Sequence, residues 1–208
     1  VIPASGEPSE PGQPREEEAA DLFPLLGESV LVRPIFEDDR RATLDLRRES
    51  EAFLRPWMPA RAPGDPIYGE RDFDVLLGSG WSPSRRCLVV YDRAGETLLG
   101  GVNLSEIVRG VFQNAFISYW VGAPHVGGGR MTEAVGLALA YAFGPVGLHR
   151  VEANIMPSNA PSLALAKKVG FRKEGYSPRY LKIAGQWEDH ERWALTSEDW
   201  KQGKDPER

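Results

Sequence analysis

At 208 residues and 41% hydrophobic content, the chain can bury one well-filled core, so a single enzyme-sized domain is expected. The net charge of -5 is uneven: residues 1–29 hold seven acidic side chains and one arginine, which leaves the remainder at +1 and argues against a broad nucleic-acid-binding face. The one cysteine, Cys87, excludes an intramolecular disulfide framework, and no apolar run reaches the roughly eighteen residues of a membrane span, so a soluble chain of the reducing cytoplasm is expected.

Residues 1–20 are rich in Pro, Glu, Ser and Gly and have little to bury, which predicts a disordered acidic tail ahead of one domain over 21–208. ESVLVRPI reads as the first strand. EDDRRATLDLRRESEAFLRPW follows with an acidic start and a patchy apolar face from Ile35, Leu44 and Leu46, stopped by Pro56. The Pro/Gly-broken stretch 57–80 carries Trp57, Met58 and Tyr68, large enough to line a pocket or to tie the loop down, and a short helix around residues 71–77.

CLVVYD, TLLGGVNLSEIV and VFQNAFISYWV then read as an antiparallel meander, with turns at 93–95 and a tight reversal at Arg109 and Gly110. MTEAVGLALAYAF has apolar residues at three- and four-residue spacing and reads as a helix. HRVEANI is a further strand, and SLALAKKVG a second helix with Asn159 as cap and Gly170 as terminator. Residues 171–195 read as two last strands around an Ala184–Gly185 turn. The sum is an α+β (α/β) domain with a mixed sheet and flanking helices.

The segment HVGGGR, three glycines running into a helix, has two readings. It is an anion cradle, in which bare backbone and the helix start aim amides at a phosphate, or it is a flexible turn. It lacks the lysine and hydroxyl of GxxxxGK[ST] and the spacing of a dinucleotide fingerprint.

Taken with ANIMPSNAPSLALAKKVGFRKEG, the run YWVGAPHVGGGRMTEA resembles the two consecutive motifs of the GCN5-related N-acetyltransferase superfamily, which uses acetyl-coenzyme A. RGVFQNAF, GRMTEAV, GQWEDH and ALTSEDW are similar to the RimJ/RimL group, whose members acetylate ribosomal-protein N-termini, and the likeness is strongest to those acting on N-terminal alanine. The resemblance implies a mostly antiparallel sheet that splays between its fourth and fifth strands, with the pantetheine arm of acetyl-CoA in the splay. It implies backbone pairing from Tyr119, Trp120 and Val121, and phosphate contacts from Gly127, Gly128, Gly129, Arg130 and Met131. Pro124 stands where the family's motif usually begins with Gln or Arg.

Asn159 by resemblance bonds the pantetheine, while by its position it caps its own helix. Ser162 by resemblance assists departure of the thiolate, while a second capping hydroxyl is the plainer reading. Acetyl transfer needs a neutral amine, and the base candidates are Glu106, Asp189 and His190. Glu106 is also readable as an ordinary solvent-facing carboxylate, and adjacent strand residues Asp189 and His190 point to opposite faces. Tyr180 and Trp187 are wall candidates for a peptide entrance, and Tyr180 a further proton donor. No metal is expected, since His125, His149 and Cys87 form no ligand pattern. The expected acceptor is a ribosomal-protein N-terminus. A small amine, an amino-acid derivative or an antibiotic, or a CoA-binding domain without turnover, are the alternatives. No membrane or nucleic-acid partner is expected, and a monomer or homodimer is.

Overall fold

The computed structural model describes residues 22–59 and 68–202, so the acidic stretch 1–20 and the middle of the Pro/Gly loop lie outside the described residues. The strands are β1 (Leu25–Leu26), β2 (Val30–Pro34), β3 (Trp81–Ser82), β4 (Arg85–Asp92), β5 (Leu98–Val108), β6 (Asn114–Val121), β7 (Arg150–Ile155), β8 (Arg172–Ile183) and β9 (Gln186–Thr196). They form one sheet in the order β1-β2-β4-β5-β6-β7-β9-β8, with β3 beside β4. Every pairing is antiparallel except β6 with β7. The helices are α1 (Arg40–Glu49), α2 (Glu51–Leu54), α3 (Glu70–Ser79), α4 (Arg130–Phe143), α5 (Ala160–Lys168) and α6 (Ser197–Gln202).

The expected meander is β4-β5-β6, but its second turn is wider than the sequence suggested. Strand β6 starts at Asn114, not at Val111, because Glu106, Gly110 and Gln113 take positive φ and β5 bulges between Ser105 and Val108. Val111 and Phe112 consequently stand exposed in the connection. The Ala184–Gly185 turn is as expected, with both residues at positive φ.

Two cores fill the two faces of the sheet. On one face α4 lays Met131, Ala134, Val135, Ala138 and Leu139 against a set that includes Val32, Val90, Val102, Ile117 and Val151. On the other, Leu44, Leu46, Leu54 and Phe73 from α1–α3 meet Cys87, Val89, Tyr91 and Trp120. Burial pushes the Cys87 thiol up to about 11, so it is apolar filling and not a thiolate nucleophile. The entry to α1 is fixed by Asp39, whose oxygens accept from Arg33 Nη1 (2.8 Å) and Nη2 (2.7 Å), Tyr91 Oη (2.6 Å) and Phe36 N (2.8 Å). Among the described residues no helix is long and apolar enough to cross a membrane.

Candidate active site

The single parallel pairing makes the site. Strands β6 and β7 are in register at only Asn114↔Arg150, Ala115↔Val151 and Phe116↔Glu152. Beyond that, β6 follows β5 as far as Gly100↔Val121, while β7 follows β9 as far as Ile155↔Glu191. Each strand is thus held by its outer neighbour as the sheet twists, and the two part into a wedge. The β6 backbone at 117–121 faces this wedge without a strand partner, so its N–H and C=O groups need another one. The two short strands β1 and β3 add to the count, which puts the splay between the sixth and seventh strands.

The glycine turn closes the open end of the wedge. Gly127, Gly128 and Gly129 have φ of +95°, +66° and +77°, a run of left-handed backbone that side chains resist. A Cβ on Gly127 or Gly129 would meet no atom within 4 Å, so packing does not demand glycine here; the backbone path does. Helix α4 then starts at Arg130 with no side-chain cap, and its first helical bond is Glu133 N to Gly129 O at 3.0 Å. The amides of Arg130, Met131 and Thr132 therefore have no partner within the helix, beside the positive end of its dipole.

Next to this entrance runs an open groove of about 540 Å³, lined by residues that include Leu26, Gly129, Thr132, Glu133 and Lys168. Lys168 comes from the last turn of α5, and the sequence carried no signal for it beyond the common bias of cations to helix ends. Glu133 is a carboxylate beside an anion-friendly helix start, but it is turned away: it accepts from Glu28 N, Ser29 N (3.2 Å) and Ser29 Oγ of the β1–β2 turn.

The start of α5 forms the other lip of the wedge. Asn159 Oδ1 accepts from Ser162 N at 3.2 Å, so the cap expected from sequence is present. Tyr119 donates its hydroxyl to Ser162 O at 3.2 Å, bridging from β6 to α5. Burial raises the Tyr119 phenol to about 12, so it remains a donor at neutral pH. Ser162 itself is half-buried between these two partners. Trp120 contributes differently: its side chain turns to the α1 face over Gly101, and only its backbone belongs to the open edge.

The remaining candidates lie on β5 and the β8–β9 hairpin. His190 is buried, with its ring 5.9 Å from that of Tyr180 and Nδ1 3.0 Å from Glu188 O. A carbonyl can only accept, so Nδ1 carries the hydrogen in this contact and Nε2 is the nitrogen left for other partners. Asp189 points the other way, as strand alternation requires, and accepts from Tyr176 Oη and from Arg179 N at 2.7 Å. Those two bonds hold its carboxyl below the usual range. Trp187 and Tyr180 are exposed on the hairpin, and the hairpin tip is tied to the end of the α1–α2 region by Ala184 N to Met58 O at 3.0 Å. Glu106 is exposed at the β5 bulge, next to Ser105↔Phe116, which is the closed end of the wedge. The structure thus joins Tyr119, Asn159 and Ser162, and separately Tyr180 and His190, while Glu106 stands apart from both groups.

A parallel strand pair that opens beside an uncapped, glycine-led helix can seat an extended, phosphate-bearing ligand against the sheet edge. Residues 29–172 match the family model described as Acetyltransferase (GNAT) domain, and the chain belongs to that family of acetyltransferases. It is 34% identical to the probable N-acetyltransferase YjcK of Bacillus subtilis, with 84% of this chain and 98% of the relative covered. It is 32% identical to the [ribosomal protein uS5]-alanine N-acetyltransferase of Escherichia coli, with 86% and 94% covered. Among solved structures, Mycobacterium smegmatis RimJ in complex with CoA-disulfide superposes with a TM-score of 0.75 at 31% identity, covering 85% of each chain.

Proposed function

We propose that the enzyme transfers the acetyl group of acetyl-CoA to the N-terminal α-amino group of a ribosomal protein that begins with alanine. The observation that carries the cofactor half is the wedge between β6 and β7 closed by three left-handed glycines. The acceptor half rests on 32% identity to the uS5-alanine enzyme over nearly its whole length. A ribosomal-protein acceptor is met in the cytoplasm, and we assign the enzyme to that compartment.

When bound, acetyl-CoA supplies an acetyl thioester open to direct attack by an amine. Three open amides at Arg130, Met131 and Thr132, the bare backbone at 127–129 and the Lys168 ammonium suit its phosphates. The unpaired edge at Tyr119–Val121 suits its amide-bearing arm, and Asn159 offers Nδ2 to it while Oδ1 serves the helix. Ser162 Oγ is assigned to the departing sulfur. An α-amino group has a reference pKa of about 8, so little help is needed to free its lone pair at neutral pH. We assign that proton to His190 Nε2, directly or through water, since Asp189 is already committed to Tyr176 and Arg179. Tyr180, edge-on to His190, and the exposed Trp187 form the wall along which the peptide enters.

The test is an acetyl-CoA assay with mass detection on peptides starting with Ala, Ser or Met, N-blocked peptides bearing lysine, and small amines including spermidine. Acetylation at the α-amino group of the Ala-starting peptide, with blocked peptides inert, is expected. Preference for a small amine, or lysine Nε acetylation, would overturn the acceptor assignment while leaving the cofactor half standing.

A further inference from the structure

We infer that Asp189 is a positioning residue: from one face of the sheet it holds a bulge in β8 that sets Tyr180 against His190 on the other. The inference rests on the reading of His190 as the group that takes the amine proton. Between the pairs Ser177↔His190 and Leu181↔Glu188, three residues of β8, Pro178, Arg179 and Tyr180, stand opposite Asp189 alone. Such a bulge interrupts the ladder and leaves backbone groups in need of other partners. Pro178 has no N–H, and Arg179 takes φ of +49°, a left-handed conformation that a residue with a side chain adopts only at a cost. The Asp189 carboxylate supplies the missing acceptor. Its Oδ1 accepts from Arg179 N at 2.7 Å, and its Oδ2 from the hydroxyl of Tyr176, just before the bulge.

Strand alternation puts this clamp and the proposed chemistry on opposite faces. Asp189 shares its face with Glu191 and Trp193, and Trp193 belongs to the α4 core, with Lys167 of α5 5.7 Å from its ring. Tyr176 stands opposite Glu191 and joins that face. His190 is on the other, with Tyr180 edge-on at 5.9 Å, and the hairpin tip reaches Met58, which packs on the core of the α1–α3 side. Asp189 is therefore turned away from an amine beside His190. Its two donors hold its carboxyl below the usual range, which makes it a poor proton acceptor. What it fixes is the path of β8, and with it the place of Tyr180. His190 is held along its own strand by Nδ1 to Glu188 O at 3.0 Å, so Tyr180 is the contact with that ring that depends on the bulge.

The experiment compares the whole protein with Asp189→Ala, Asp189→Asn, Tyr180→Leu and the Asp189→Ala/Tyr180→Leu double variant. The acceptor is whichever amine of the panel above the wild type acetylates, so an acceptor other than the Ala-starting peptide leaves the test intact. Asp189→Asn keeps an oxygen for Arg179 N and offers Nδ2 to the Tyr176 oxygen, so it preserves the clamp and removes only the charge. Asp189→Ala should lower kcat/KM for the amine about tenfold, Tyr180→Leu by a similar factor and the double variant no further, with acetyl-CoA affinity by calorimetry unchanged throughout. Asp189→Asn should stay within about threefold of the wild type, since an exposed charge by itself is worth little. Proton NMR reads the clamp without turnover: the ring-current shift that Tyr180 imposes on His190 should vanish in Asp189→Ala as in Tyr180→Leu, and remain in Asp189→Asn. An Asn variant as impaired as the Ala variant would overturn the inference and make the carboxylate's charge the working part. Losses that add in the double variant, or a His190 signal that Asp189→Ala leaves in place, would overturn it too. If His190 does not take the proton, the kinetic losses vanish while the NMR pattern stays, which separates a failure of that reading from a failure of the clamp. Asp189→Asn is isosteric, so it decides between clamp and charge even where Asp189→Ala fails to fold.

Discussion

Two helices begin at the wedge, and their first turns are opposite in design. At α5 every donor is answered within the chain: Ala160 N donates to Ser158 O (3.1 Å), Pro161 has no N–H, Ser162 N donates to Asn159 Oδ1 (3.2 Å) and Leu163 N to Asn159 O (3.0 Å). At α4 the cap position is Gly129, which has no side chain to offer, and the amides of Arg130, Met131 and Thr132 are left with no intrahelical acceptor. A capped entrance stabilises its own helix, whereas an uncapped one is stabilised when an anion arrives. The contrast supports the proposed phosphate site at α4, with α5 as a rigid lip that presents Ser162 and Asn159 Nδ2.

The sharpest way to break this contrast is Gly129→Val. Valine resists φ of +77° but has open space around it, so the strain falls on the turn and tilts the three amides without disturbing the core. Because hydrogen bonds to charged groups are each worth about 1.5–3 kcal/mol, a 10- to 100-fold weaker acetyl-CoA affinity by calorimetry is expected, with the circular dichroism of the folded protein kept. Unchanged affinity in a folded variant would remove the phosphate role from α4.

Next in size is Ser162→Ala, for which a fall in kcat of about tenfold with unchanged acetyl-CoA affinity is expected, since a hydrogen bond to a developing thiolate strengthens in the transition state. Its Tm should stay put, because Ser162 joins the cap through its backbone N–H and not its hydroxyl. Weaker cofactor binding at unchanged kcat would make the hydroxyl a simple holding contact. Asn159→Ala should cost about 1 kcal/mol of stability, read as a Tm lower by about 2–4 °C. Asn159→Asp keeps the accepting oxygen and loses the donor, so it should recover the Tm and still bind acetyl-CoA a few-fold more weakly. Recovery of both would limit Asn159 to capping.

How far these differences were legible in the sequence depends on how local their causes are. The three glycines, the Asn159 cap and the Ala184–Gly185 turn were readable because each answers to the φ or hydrogen bonds of its own few residues. The meander was readable from runs of strand formers separated by turn residues. The wedge was known only by resemblance, since nothing local in NAFISYWV or RVEANI says that pairing stops after Phe116 and Glu152. Nothing local in MTEAVGL marks Glu133, because its partners come from the β1–β2 turn, over a hundred residues earlier in the chain. In LDLRRES, Arg47 is indistinguishable from its solvated neighbour Arg48, because its burial is decided by Tyr68 and Trp120. The two-residue strands β1 and β3 are too short to show any period.

The smallest expected effect tests what holds the closed lip in place. Tyr119 reaches from β6 to Ser162 O, so Tyr119→Phe removes one partly buried hydrogen bond and should cost about 0.5–1.5 kcal/mol at pH 8. The gap should then narrow with alkali, and its sign follows from linkage. Burial raises the phenol to about 12 in the folded protein, against about 10 in an unfolded chain. Between those values the folded state holds the proton that the unfolded state has lost, so wild-type stability falls as pH rises above about 10. By pH 10.5 that loss amounts to about 0.8 kcal/mol, which the Phe variant does not share. Tyr91 and Cys87 are raised as well, but they are present in both proteins and cancel in the difference. Denaturant unfolding of the pair at pH 8, 9.5 and 10.5 should therefore show the Phe variant less stable at first and close to the wild type at the end. A gap that is constant over this range would mean that the Tyr119 hydroxyl reaches solvent, and that the link between β6 and α5 is made by packing instead.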